Sequence, residues 1–175
     1  SSDHYGIKGF TLSAIETAIE LTHGRISGEE LRAILELGRD MLDQPVELLP
    51  GVASVLEQLV DHHPLILITK GDLRDQERKI AKSKLATFFQ HIAIVSEKNR
   101  ETYAELLRQK QLPTTNFLMV GNSLKSDIHP VIALGGFGVH IPYRITWEIE
   151  QTMQVSADPT RLLTLAAIHQ LPDAL

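Results

Sequence analysis

The sequence predicts an α/β protein, a parallel sheet with helices on both faces, carrying a smaller all-helical part on its N-terminal side. Three observations predict it. LILIT (65–69) is a short continuous apolar run, as a strand buried on both faces requires, and further strands follow at IAIV (92–95), FLMV (117–120) and GVHI (138–141). Between them lie stretches of helical length and period, and strands alternating with such helices pack as a parallel sheet. Residues 1–49, by contrast, show helical period alone.

In the first 49 residues, TLSAIETAIELT puts Leu12, Ile15 and Ile19 at helical spacing, and SGEELRAILELGRDML puts Leu31, Ile34, Leu35, Gly38, Met41 and Leu42 on one stripe. Ser27 and Glu30 have the spacing of a capping box at the start of the second helix. The pair forms a helical hairpin, 1–49, joined through DQPVELLPG (43–51) to the α/β part, 50–175. Pro50–Gly51 introduces a helix bearing Val52, Val55, Leu56 and Leu59. Further helices are expected at about 73–84, at 100–110 and from about Asp127, with QLPTTN (111–116) as a helix-to-strand turn. Asp158–Pro159 is expected to open a terminal helix.

Composition narrows the function classes. Hydrophobic residues make up 43% of the 175 residues and aromatics only 5%, so the core is aliphatic. A net charge of −5 without a basic stripe argues against a nucleic-acid surface. The absence of cysteine excludes disulfides and thiolate metal sites and fits a reducing compartment. No apolar run approaches the roughly 18 residues that span a bilayer, and SSDHYGIKGF lacks a signal-peptide layout. The expectation is a soluble, cytoplasmic protein. The first residue is Ser1 rather than Met, from which a preceding segment is expected. The eight histidines form no ligand cluster in sequence, and His62–His63 reads as a solvated turn.

In an open parallel sheet, ligands bind at the carboxyl ends of the strands. The first strand is followed by Thr69-Lys70-Gly71-Asp72, the second by Ser96-Glu97-Lys98 and the third by Gly121-Asn122-Ser123-Leu124-Lys125-Ser126-Asp127. Thr69 offers a hydroxyl donor; Lys70 and Gly71 offer amides near a helix start, where an anion is favoured. Lys98 offers a positive charge, and Asn122 and Asp127 offer hard oxygens of the kind Mg²⁺ accepts. Each loop alone also reads as a turn, a solvated lysine or a helix cap. Their shared sheet edge and chain order favour a site for a phosphoryl group and its metal.

With that order, the chain resembles the haloacid dehalogenase-like hydrolases, mostly phosphatases with a Rossmann-like core and a small helical cap. The resemblance covers roughly residues 5–150. It implies that Thr69 in LITKGD binds phosphate, that Lys98 in SEKNRETY stabilises the covalent intermediate, and that Asn122 and Asp127 in MVGNSLKSDI help hold Mg²⁺. It also makes LLPGVASVLEQL the return from cap to core. The implied catalytic residues are Thr69, Lys98 and Asp127, with Lys70 and Gly71 joining Thr69 and Lys98 on a small phosphorylated substrate.

The chain departs from the family at three places. Its metal loop begins Gly-Asn rather than Gly-Asp, which shifts metal binding toward Asp127, and Lys98 is followed by Asn99 where Pro is frequent. The third concerns the nucleophile. The family attacks phosphorus with the first Asp of Asp-x-Asp-x-Thr after a central strand, the second Asp acting as general acid and base. Ser1–Leu175 contains no Asp-x-Asp, and Asp3 follows no strand. That strand would lie between those of LILIT and FLMV. Three readings follow: the strand belongs to an N-terminal extension and the chain alone is inactive; the fold is rearranged and does not turn over; or the chain is a non-catalytic phosphate- or nucleotide-binding or regulatory module. A haloacid dehalogenase, using the same Asp on carbon without metal, is a further alternative. Phe10 or Tyr5 either lines a pocket under the cap or packs in the core, and Tyr143, Arg144 or Trp147 follows the last strand toward the site.

Overall fold

The computed structural model describes residues 6–143 and 158–175. Among them no helix is long and apolar enough to cross a membrane. They gather into two compact units, one of residues up to Glu47 with Gly71–Lys84, the other of Leu48–Lys70 with Leu85–Leu175.

The first unit is helical. Helices α1 (Ile7–Leu21) and α2 (Gly28–Asp43) form the hairpin. The capping box at the start of α2 is made: Ser27 Oγ accepts from the Glu30 amide at 3.2 Å, and Glu30 Oε2 accepts from the Ser27 amide at 2.8 Å. The helices approach closely where Gly38 faces Thr11; a Cβ on Gly38 would lie 3.0 Å from Thr11 Cγ2. Helix α4 (Leu73–Ser83) belongs to this unit through two ionic clasps. Lys82 Nζ donates to the carbonyls of Leu42, Asp43 and Gln44 at 3.1, 3.0 and 3.2 Å, satisfying the carbonyl end of α2. Lys8 Nζ bridges Asp72 at 3.1 Å and Asp75 at 3.2 Å. Phe10, expected in a core or a pocket, is 52% exposed.

The second unit contains α3 (Val52–Val60), β1 (Ile66–Lys70), β2 (His91–Val95), α5 (Arg100–Gln109), β3 (Leu118–Gly121), α6 (His129–Ile132), β4 (Phe137–His140) and β5 (Leu162–Thr164). Every ladder is parallel. Ile66 registers with His91, Leu118 with Phe137, and Gly138 with Leu162. Among the described residues the strands form two hydrogen-bonded groups, β1–β2 and β3–β4–β5, and no ladder joins β1 to β3.

Apolar packing spans both groups. On one face Ile68 of β1, Met119 of β3, Tyr103 and Leu106 of α5 and Val131 of α6 form a buried cluster. Leu118 and Val120 point to the other face, as strand alternation requires, and pack against Val55, Leu59, Val139 and Leu171.

The structure corrects two expectations. The terminal helix after Asp158–Pro159 is not formed. Asp158 Oδ1 accepts instead from the Thr160 amide at 3.0 Å and the Thr160 hydroxyl at 2.6 Å, closing a turn that leads into β5. The same carboxylate that caps a helix also closes such a turn, and pairing with β4 decides between them. The helix expected from about Asp127 begins earlier, as a π-helical turn at Leu124–Ile128 running into the short α6. Asp3, Tyr5, Arg144 and Trp147 lie outside the described residues, and Tyr143 is exposed.

Ile68→Ala should lower unfolding free energy by about 2–5 kcal/mol in a denaturant titration, since it opens a cavity in the shared cluster. Ile92→Ala, at a residue 42% exposed, should cost well under that.

Candidate functional site

The carboxyl ends of β2 and β3 meet through one buried contact. Lys98 stands in the loop after β2, just ahead of α5, and its Nζ lies 2.7 Å from Asp127 Oδ1. The two side chains are 16% and 5% exposed, so the pair is largely shielded from water. Asn99 fixes the approach by capping α5, its side chain accepting from the Thr102 amide at 2.9 Å. Where proline would leave that amide to another partner, asparagine satisfies it and starts the helix.

Asp127 is held from its other side. Its Oδ2 accepts from the Ser123 amide at 3.1 Å, while Ser123 Oγ accepts from the Ser126 amide at 3.0 Å. The Asp127 and Ile128 amides both donate to the Ser123 carbonyl, at 2.9 and 3.2 Å, and the wider of these bonds gives the turn its π character. Gly121 makes this possible. A Cβ there would lie 2.6 Å from Asp127 Cγ, so only a bare backbone lets the carboxylate fold back over the strand end. The buried Tyr103 donates its hydroxyl to the Ser126 carbonyl at 3.1 Å. Burial, with the Asp127 charge adding to it, pushes the Tyr103 phenol well above its usual range and keeps it a donor.

Thr69 and Lys70 end β1, Thr69 in register with Ile94 and Lys70 with Val95, at the edge from which the Lys98 loop leaves. Thr69 is half-buried. Lys70 Nζ meets Glu97 at 3.1 and 3.3 Å, tying the loops after β1 and β2. Gly71 groups with the helical unit and has a φ of 145°, which suits glycine. The start of α4 is capped by Asp72, which accepts from the Asp75 amide at 3.1 Å. Its carboxyl is held below the usual range, first by the hydrogen bond from Lys8 and then by the one from the Asp75 amide. Asn122 is exposed at the head of the third loop. Direct contact thus unites Lys98 with Asp127; Thr69, Lys70 and Asn122 stand at neighbouring strand ends.

Sequence reasoning passed over His140, the last residue of β4. It is 7% exposed and its Nε2 lies 3.1 Å from the Asn122 carbonyl. The only sequence signal is a polar residue inside the otherwise apolar segment GVHI. The oxygens of Asn122 and Asp127 suit Mg²⁺ in kind, but one carboxylate and one amide furnish only part of its roughly six-donor shell. Among the described residues no three His, Asp or Glu side chains gather as a metal site.

Known proteins resemble the chain in sequence and in fold. The family profile described as haloacid dehalogenase-like hydrolase matches residues 7–134. A haloacid dehalogenase-like family hydrolase from Xanthomonas campestris is 45% identical, with a TM-score of 0.87 over 97% of this chain and 72% of its own. More distant in sequence is a predicted phosphoglycolate phosphatase from Haemophilus somnus, 16% identical, TM-score 0.64, covering 99% of this chain and 78% of that one. A putative hydrolase, YfnB from Bacillus subtilis, bound to magnesium, is 14% identical with a TM-score of 0.59, covering 97% and 82%. The last two likenesses concern the fold. No curated protein matches the chain.

Breaking the buried pair should be costly and removing it whole much less so. Lys98→Met should destabilise by roughly 3–5 kcal/mol, because it strands the Asp127 charge, and Lys98→Met with Asp127→Leu should recover a large part of that. A double-mutant cycle by chemical denaturation measures both; strictly additive losses would contradict the coupling.

Proposed function

Because the chain belongs to the haloacid dehalogenase-like hydrolases, we propose that it is the greater part of a Mg²⁺-dependent phosphatase acting on a small phosphomonoester through an aspartyl phosphate. The observation that carries this reading is the shielded Lys98–Asp127 pair at the carboxyl edge of the sheet. It sets a cation and a carboxylate beside the strand ends that bear Thr69 and Asn122.

In this reading Thr69 donates its hydroxyl to a phosphoryl oxygen, and the Lys70 and Gly71 amides donate to others. Lys98 offsets the charge that grows on the phosphoryl group, and its bond to Asp127 fixes its position beforehand. Asn122 and Asp127 contribute to the Mg²⁺ shell, and the ion, when bound, offsets negative charge on nucleophile and phosphate. The nucleophile is an aspartate on a strand between β1 and β3, bearing Asp-x-Asp and lying outside Ser1–Leu175. Its carboxylate oxygen bonds to phosphorus as the bond to the leaving alcohol breaks, the second aspartate protonates that alcohol, and water then releases phosphate. Supporting such a strand is the division of the sheet into β1–β2 and β3–β4–β5. Residues 1–49 serve as the main part of a cap and 50–175 as the core, and a cap in this class of enzyme excludes water and contacts the leaving group. A cysteine-free chain with this substrate class suits the cytoplasm.

The test uses a protein extended to include the Asp-x-Asp strand. With p-nitrophenyl phosphate and Mg²⁺, Thr69→Ala and Lys98→Ala should each lower turnover by about two orders of magnitude. Unchanged turnover in both variants, or metal-independent release of halide from haloacids in place of phosphatase activity, would overturn the reading.

A further inference from the structure

One peptide group in the turn that carries Asp127 is held at both of its polar atoms. The amide between Asn122 and Ser123 has its N–H on Asp127 Oδ2 at 3.1 Å and its C=O against His140 Nε2 at 3.1 Å. This peptide is trans, as are the others described, so its two polar atoms point in opposite directions across one rigid plane. A carbonyl oxygen only accepts, so the contact requires a hydrogen on His140 Nε2.

We propose that His140 is a positioning residue for Asp127, acting through this peptide plane. The imidazole fixes the carbonyl on one side and thereby aims the Ser123 N–H at the Asp127 carboxylate on the other. The carboxylate in turn meets Lys98 with its second oxygen, at 2.7 Å. Rotation of the plane would turn the carbonyl toward a buried carboxylate and bring two negative oxygens together, an arrangement the His140 bond opposes.

The backbone around His140 is suited to this task. It ends β4 between two ladders, in register with Gly121 of β3 and Thr164 of β5. The Ile141 amide donates to the Gly121 carbonyl at 2.9 Å, and the Leu165 amide donates to the His140 carbonyl at 2.9 Å. The imidazole therefore projects from a braced strand end, whereas the peptide it holds lies in a turn. Burial at 7% exposure keeps water from replacing the bond.

The effect on turnover rests on the phosphatase reading, but the positioning does not, and nuclear magnetic resonance of the ¹⁵N-labelled chain Ser1–Leu175 tests the latter alone. In the unsubstituted protein at pH 8, long-range ¹H–¹⁵N correlations should show a hydrogen on His140 Nε2; a neutral ring protonated at Nδ1 alone overturns the proposal. In His140→Leu the Ser123 amide should exchange about tenfold faster, the equivalent of one neutral hydrogen bond, with the α5 amides unchanged. His140→Gln, which keeps a side-chain N–H donor, should recover most of the protection. Unchanged Ser123 exchange in His140→Leu, or equal acceleration of Ser123 and α5 amides in both variants, overturns it. In an extended, active protein, His140→Leu should lower kcat with KM little changed. Absence of phosphatase activity there would reject the phosphatase reading and leave the exchange result standing.

Discussion

The ion pair between Lys98 and Asp127 is the constraint on which the rest of the site depends. The strands of the core fall into two groups with no ladder between them among the described residues, so the backbone hydrogen bonds that normally align a sheet do not span the junction. One apolar layer, with Ile68 of β1 and Met119 of β3, spans it, but apolar contact is non-directional and sets no register. Lys98 with Asp127, seconded by Tyr103 with Ser126, supplies the directional link. Because both charges are shielded, each requires the other, and a shift of either loop leaves a buried charge without its counter-charge.

That requirement explains local choices that look arbitrary in isolation. Gly121 is bare because the Asp127 carboxylate occupies the space a Cβ would take. The turn is wound wide, as a π-helical segment, because a tighter one would carry the carboxylate round to another face. Asn99 starts α5 at the residue after Lys98, so the helix and the lysine are set by the same cap.

Strands β1 to β4 were plain in the sequence as short, largely apolar runs set between helical stretches, and the Ser27–Glu30 box because both partners lie within one helical turn. Thr69, Lys98, Asn122 and Asp127 stood out as polar residues at the ends of those runs. Features that depend on distant partners were hidden. The carboxylate of Asp158 reads as a helix cap until β4 is present for Leu162–Thr164 to join. The attachment of α4 to α2 rests on Lys82 reaching three carbonyls some forty residues away. His140 sits inside the segment GVHI like any strand residue, and its part emerges only with the Asn122 carbonyl beside it.

The division of the sheet also bears on how the chain acquires its shape. Each ladder joins segments that are near neighbours along the chain: Ile66 with His91, Leu118 with Phe137, Gly138 with Leu162. Closing loops of this length costs little more entropy than closing shorter ones, so the chain order within each group is inexpensive to satisfy. Tyr103 and Leu106 of α5 pack with Ile68 of one group and Met119 of the other. The charged link at the strand ends therefore acts as a latch between the two groups, so that breaking it loosens the hold of one on the other.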